Sequence, residues 1–359
     1  MLILRVLFFV LGLVIVVGTL LSAVRTFVLP RAAPDPIVRV VFRTLRRLFE
    51  LSLRRSRSYA ERDRVMAFFA PIGLLTLLPV WLALVQVGYM GMFWALGLGS
   101  WFEAFHLSGS SLLTLGFAGV EGLPQTILAF SEATIGLLLV ALLIAYLPTL
   151  YAAFSRREAA VALLEVRAGA PPSAVEMIKR FYRIHGLDRL SEQWRTWEAW
   201  FVDIEESHTA LAALVVFRSP QPDHSWVTAA GAVLDAASLT LSTVDIPHDP
   251  QAALCIRAGY VALHRIADFF SIPYDPNPKP SDPISVTQEE FDAAYDQLAA
   301  QGVPLKPDRD QAWRDFAGWR VNYDTVLLAL AGLTMAPDAP WSGDRALRYR
   351  PPPIFRQNK

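Results

Sequence analysis

The chain has 359 residues, of which 53% are hydrophobic, and equal numbers of acidic and basic residues leave it without net charge. Its mean hydropathy of +0.35 is high for a soluble protein, and the apolar excess lies in the first 155 residues. Because Cys255 is the single cysteine, an intrachain disulfide framework and a cysteine-based zinc site are excluded. We expect no nucleic-acid partner.

The first segment, 1–29, is apolar except for Arg5 and Arg25. Its core, 6–24, is longer than the 7–15 apolar residues of a signal peptide, and no small-residue cleavage site follows it. A helix of about 20 apolar residues crosses a bilayer. We therefore predict a retained N-terminal transmembrane helix, with a cleaved signal peptide as the alternative.

A basic segment, 30–65, follows with ten arginines against four acidic residues. Such loops stay on the cytoplasmic side. Its apolar residues recur at helical spacing until Ser52 breaks the pattern, which predicts a lipid-facing amphipathic linker helix of about three turns. The arginines expected to meet the anionic inner leaflet are Arg39, Arg43, Arg46, Arg47, Arg54 and Arg55. The helix is interpreted as a topology anchor, with a lipid-regulated gate as the alternative.

Two further apolar runs, Met66–Met90 and Ala133–Phe154, are long enough to cross a bilayer. Between them lie an amphipathic half-span, Trp101–Leu113, and a small, uncharged stretch, Ser108–Gly119. Residues 87–130 contain no Lys or Arg, which predicts an external location. Irregular backbone at membrane depth must be buried in protein or line a wet cavity. The pattern predicts a re-entrant loop that dips in from outside.

Within this loop, Thr114-Leu115-Gly116-Phe117-Ala118 resembles the Thr-Val-Gly-Tyr-Gly selectivity filter of the potassium-channel superfamily. The resemblance extends over about a quarter of the chain, to a pore-helix serine, a proline after the filter, an inner helix and its basic end. The residues that carry it are Ser108, Pro124, 131–137 and 154–157. It implies an all-α pore module, 66–157, with an outer helix, a pore helix and an inner helix. Four copies would surround a cation path lined by backbone carbonyls.

The resemblance assigns ion binding to Thr114, Leu115, Gly116, Phe117 and Ala118, with no cofactor besides the permeant K⁺ or other monovalent cation. The residues expected to support the filter are Ser108, Ser110, Ser111, Gly119 and Glu132. Glu132 is expected to buttress the filter rather than line the path. Gly136 is either a gating hinge or a close-packing contact, and Pro148 is either a kink at a gate or an end-of-span proline.

The filter departs from the family pattern at several positions. Ala118 replaces the second filter glycine, and a left-handed backbone costs an L-residue about 1–2 kcal/mol. Either Gly119 takes the turn instead, or the outer carbonyl ring is distorted. Phe117 also lacks the usual tyrosine hydroxyl. A strict potassium pore, a weakly selective cation pore and a closed relic therefore all stay open.

The remaining chain predicts an all-helical cytoplasmic domain, 158–335, and an extended Pro-rich tail, 336–359. Ser173 and Glu176 form a capping pattern at the first helix. The predicted helices are about 174–185, 187–217, 226–243, 251–270, 288–301 and 308–331. Nothing in the sequence names an effector for this domain.

Signals for catalysis are weak. Glu205 and His208 form one Glu-x-x-His motif, half of a di-iron signature that requires two copies. The tryptophan stripe, formed by Trp194, Trp197, Trp200 and Phe201, is interpreted as core or interface rather than as a ligand cage. We therefore predict a non-enzymatic cation channel of a bacterial inner membrane, with three spans per subunit. The alternative is a non-conducting membrane-anchored sensor or scaffold, and a membrane enzyme ranks third.

Overall fold

The computed structural model describes residues 2–29, 35–53 and 58–347. Its regular structure is helical, and the described residues contain a single isolated antiparallel bridge, between Val244 and Leu305. Three helical runs are long and apolar enough to cross a membrane: Leu2–Phe27, Tyr59–Ala95 and Leu123–Ala168. The predicted all-α class and the three apolar segments are therefore confirmed.

The chain divides into two compact units. The described residues of the first are 2–29, 35–53 and 68–151, and those of the second are 58–67 and 152–347. In chain order, the helices are α1 (Leu2–Phe27), α2 (Pro36–Leu53), α3 (Tyr59–Met66), α4 (Phe69–Ala95), α5 (Trp101–Leu112), α6 (Leu123–Ala168), α7 (Ala174–Arg183), α8 (Leu190–Ala210), α9 (Trp226–Thr243), α10 (Pro250–Phe269), α11 (Gln288–Ala300), α12 (Arg309–Arg320) and α13 (Asp324–Thr334).

In the first unit, α1 packs closely against α4 through small residues. A Cβ atom added to Gly12 would lie 2.3 Å from the carbonyl oxygen of Gly88. Further along the same face, the Trp81 indole donates a 3.0 Å hydrogen bond to Ser22. Small residues that allow close backbone approach are typical of helix pairs in lipid. This packing makes α1 part of the first unit, and whether the helix is retained stays a prediction.

Replacing Gly12 with leucine is expected to destabilise this helix pair, because the added side chain meets backbone rather than open space. Overpacking of this kind costs about 1–3 kcal/mol. The matched control is Gly18→Leu, since no atom lies within 4 Å of a Cβ added at Gly18. Thermal unfolding in detergent should show a lower midpoint for Gly12→Leu alone. Equal midpoints for the two variants would contradict the packing.

The amphipathic helix α2 is longer than predicted. It covers 18 residues and passes through Ser52 to Leu53, so the prediction of three turns was wrong. Asp35 starts it by accepting hydrogen bonds from the amides of Ile37 and Val38, and Ser22 donates to the same oxygen at 2.7 Å.

The apolar stripe of α2 is divided between two faces. Phe42 and Phe49 both lie against Phe69 of α4, at ring distances of 5.8 and 5.7 Å. Val40 and Leu48 are exposed, which leaves an apolar face suited to lipid. Of the predicted headgroup arginines, Arg54 and Arg55 lie outside the described residues.

The predicted linker 30–65 is not one element. Its last part forms α3, which belongs to the second unit, whereas α2 belongs to the first. The reason is an ion pair between Asp63 and Arg218.

The core of the second unit is built around α9, which is buried along nearly its whole length. Helices α7, α10, α12 and α13 contact it. The sequence predicts a single helix over 308–331, but the chain forms α12 and α13 instead. Asn322 explains the break, because its side-chain amide donates 3.0 Å hydrogen bonds to the carbonyls of Gly318 and Trp319 in the last turn of α12.

The predicted extended tail was wrong for residues 336–347. Ala339 and Trp341 are buried, and the Trp341 ring lies 5.5 Å from that of Phe316. The Arg320 guanidinium also donates to the Trp341 carbonyl at 2.5 Å. One aromatic anchor therefore holds this Pro-rich segment on the core. The rest of the predicted tail, 348–359, lies outside the described residues.

Candidate functional site

The half-span is the twelve-residue helix α5. A capping box starts it, with Ser100 and Glu103 each accepting from the other's amide. The helix ends at Leu112, and Thr114 and Gly116 then take left-handed backbone angles, with φ of 54° and 70°. Gly116 adopts this region freely, as the sequence predicts. Ala118 and Gly119 do not have positive φ, so the proposed turn at Gly119 was wrong.

Hydrogen bonds hold the loop through its amides. The amides of Leu115 and Gly116 donate to the Ser110 carbonyl at 2.8 and 3.4 Å, and the Ala118 amide donates to the Ser110 hydroxyl at 3.1 Å. The Thr114 amide donates to the Ser111 carbonyl at 3.0 Å. Ser110 is itself buried. Two of the predicted support residues therefore contact the loop directly.

The loop's carbonyls have no such partners. Within the described part of the chain, no hydrogen bond is accepted by the carbonyl oxygens of residues 114–118. The loop is also exposed, and the side chains of Leu115 and Phe117 are 60% and 56% accessible. Phe117 lies 4.6 Å from the His106 ring. Unpaired backbone acceptors on an exposed loop are available to an external ligand.

Glu132 and Ser108 join α6 to α5 behind this loop. Both side chains are fully buried, and the Ser108 hydroxyl donates a 2.5 Å hydrogen bond to Glu132 Oε1. The second oxygen, Oε2, has no hydrogen-bond partner among the described residues. The carboxyl thus bonds to the helix that precedes the loop, and its role as a buttress stays a prediction.

Gly136 brings α6 against the end of α5. A Cβ atom added there would lie 2.1 Å from the carbonyl oxygen of Leu112. The close-packing alternative therefore describes this glycine in the structure, and its role as a hinge stays a prediction. Pro148 lies inside the continuous helix α6.

Alanine at position 136 is expected to displace the end of α5 and to destabilise the first unit by about 1–3 kcal/mol. The cause is backbone contact, which a side-chain rotation cannot relieve. Gly18→Ala is the control, because its added methyl group meets open space. Thermal unfolding in detergent measures both variants. A stability of Gly136→Ala equal to that of the control would show that α5 and α6 are further apart.

The predicted basic end of the inner helix, Arg156 and Arg157, lies in the second unit. Arg157 is fully buried, where it donates to Glu158 at 2.7 Å and to the carbonyls of Leu214 and Phe217, each at 2.8 Å. Arg156 pairs with Asp203 at 3.1 Å. Both arginines therefore have partners within the second unit.

His208 lies beside Arg157, with Nε2 3.3 Å from the guanidinium. Since arginine only donates, Nε2 accepts and the proton of the neutral ring is on Nδ1, next to the Ser207 hydroxyl. Burial, together with the charge of Arg157, lowers the pKa of His208 well below its ordinary value. The motif partner Glu205 pairs with Arg265. Both residues of the Glu-x-x-His motif therefore have structural partners.

His208 makes the stability of the second unit depend on pH. Its folded-state pKa is depressed, so the folded state binds fewer protons than the unfolded state once the pH is below the ordinary value of 6.5. As the pH is lowered below this value, the free energy of unfolding should fall by at most about 1.4 kcal/mol per pH unit. Chemical denaturation between pH 7.5 and 5.5 measures this slope. His208→Gln should flatten it, and an unchanged slope would contradict the assignment.

The tryptophan stripe is core, as predicted. Trp194, Trp197 and Trp200 are buried, and the rings of Trp197 and Trp200 meet edge to face at 4.6 Å. Over the described ranges, no three His, Cys, Asp or Glu side chains are grouped so that they would hold a metal ion.

A buried charge cluster in the second unit was not predicted. Arg320 is fully buried and binds Asp235 and Asp324, and Tyr323 donates to Asp235 at 2.8 Å. Burial alone would lower the pKa of Arg320, but the two carboxylates raise it above its ordinary value and keep the guanidinium charged. The i, i+4 spacing of Arg320 and Asp324 was the only local signal, and it is also common on exposed helix faces.

No protein-family model matches the chain, and no curated protein or solved structure matches it significantly.

Proposed function

We propose that the chain is one subunit of a cation channel in a bacterial cytoplasmic membrane. Four copies of the chain surround a central axis, and each contributes its loop 114–118 to the ion path. The permeant ion is K⁺ or another monovalent cation. The amino terminus and the loop face outside, and the helical domain is cytoplasmic, which agrees with the arginine-rich segment 30–65 and the absence of Lys and Arg from 87–130.

The proposal depends most on the carbonyls of residues 114–118. They are successive and without hydrogen-bond partners among the described residues, on a loop whose residues 114–117 are exposed, whereas three of the loop's amides donate to Ser110. A conduction path needs backbone oxygens that replace the hydration shell of an ion. One chain contributes one such loop, so closure around an axis requires further copies.

The apolar exposure of the loop favours the same assembly. Leu115 and Phe117 are large, exposed residues within segment 87–130, which contains no Lys or Arg. In a tetramer they would meet neighbouring subunits. Glu103 and Glu121 are the acidic residues nearest to this loop in sequence, and negative charge at a pore entrance attracts cations.

Flux measurements in proteoliposomes test the proposal. Vesicles loaded with KCl should take up tracer Rb⁺ faster than protein-free vesicles, and external Ba²⁺ should block the uptake. Parallel uptake of Na⁺ separates a potassium-selective pore from a weakly selective one. Uptake equal to that of protein-free vesicles for both ions would contradict the proposal and favour the sensor or scaffold alternative.

A further inference from the structure

A short segment of the second unit, 214–218, binds two helices at once. Its first contact is with α6, because the carbonyls of Leu214 and Phe217 accept hydrogen bonds from Arg157. The Phe217 ring also lies 5.9 Å from the ring of Phe154, which is on the same helix. These contacts hold the C-terminal part of α6 on the segment.

The next residue, Arg218, makes the second contact. Its guanidinium pairs with Asp63 and donates to the Tyr59 hydroxyl at 3.1 Å, both on α3. It also donates to the carbonyl of Met335 at 2.9 Å. The side chains of Arg218 and Asp63 are only 9% and 12% exposed. Shielded pairs are screened less than surface pairs, and loss of one partner leaves a charge without compensation.

Both contacted helices lead into apolar spans. After α3, Ala67 and Phe68 keep right-handed helical angles, and α4 begins at the next residue. The other helix, α6, is continuous from Leu123 to Ala168. Segment 214–218 therefore fixes residues at the ends of two predicted spans of the pore module.

We infer that segment 214–218 couples the helical domain to the pore, and that Arg157 and Arg218 are positioning residues that transmit movement of the domain to α6 and α4. The gating part of this inference rests on the proposed channel function. The structural part, that the ion pair of Arg218 orders α3 and the start of α4, does not.

The test compares Arg218→Met with Arg265→Met in the full chain reconstituted in lipid. Arg265 is a suitable control because its side chain is 60% exposed and it pairs with Glu205 in the same unit. Hydrogen exchange should be faster in Arg218→Met over residues 59–66 and 69–72, and unchanged in the control. In single-channel recordings, open probability should change by about tenfold while unitary conductance stays constant.

Hydrogen exchange tests the structural coupling, and the single-channel recordings test the gating role. Unchanged exchange at 59–66 and 69–72 would overturn the inference, whether or not the protein conducts. Faster exchange without any conduction would support the structural coupling and contradict the channel proposal. A change in unitary conductance with constant open probability would also overturn the gating role. If α9 loses protection in Arg218→Met, which would indicate general unfolding, Asp63→Asn takes its place under the same criteria.

Discussion

Gly116→Ala is expected to reduce Rb⁺ uptake into proteoliposomes by about tenfold or more. Gly116 has φ of 70°, and an L-residue in this region costs about 1–2 kcal/mol. In a tetramer the strain would be present in four copies, or about 4–8 kcal/mol in total. Relief of the strain would rotate the adjacent carbonyls out of their arrangement, and those carbonyls are the proposed ion ligands.

Gly97→Ala provides the matched control. Gly97 also has a positive φ, 99°, and no atom lies within 4 Å of a Cβ added at either glycine. The two substitutions therefore introduce similar backbone strain, but Gly97 follows α4 and is distant in sequence from the loop. Thermal unfolding should show comparable midpoints. Equal losses of uptake in the two variants would mean that strain alone, and not the carbonyls of 114–118, explains the effect.

Arg320→Met is expected to destabilise the second unit by about 3–5 kcal/mol, because it leaves the buried carboxylates of Asp235 and Asp324 without their cation. The hydrogen bond to the Trp341 carbonyl is lost as well, so residues 336–347 should detach from the core. Chemical denaturation followed by tryptophan fluorescence measures both effects.

Two further variants serve as controls for the Arg320→Met prediction. Arg309→Met removes a partly exposed arginine that pairs with Asp296, and it should cost at most about 1 kcal/mol. The double variant Asp235→Leu/Arg320→Met removes opposite buried charges together and should recover part of the lost stability. A loss in Arg320→Met no larger than that in Arg309→Met would show that the buried cluster does not stabilise the unit.

Where a local pattern decides the structure, the sequence was sufficient to predict the position of a helix or the conformation of a glycine. The apolar runs, the capping pattern of Ser173 and Glu176, and the amphipathic periods of the C-terminal domain produced helices near their predicted positions. The left-handed angle of Gly116 was predictable because glycine alone adopts it without cost.

Long-range contacts decided what the sequence missed. Arg157 follows an apolar span, which predicts the basic cytoplasmic end of a membrane helix, but its burial depends on carbonyl partners that lie 57 and 60 residues away. The left-handed angle of Thr114 accompanies amide bonds to Ser110, which no propensity encodes. Trp341 anchors a Pro-rich segment on the Phe316 ring and the Arg320 guanidinium, both of α12.

An electron cryomicroscopy structure of the full chain in lipid nanodiscs, prepared in Tl⁺ or Rb⁺, tests the channel proposal most directly. The proposal predicts four copies around an axis, with the carbonyls of residues 114–118 facing it and ion density between them. A monomer, or an assembly in which the 114–118 backbone lies away from any axial path, would contradict it.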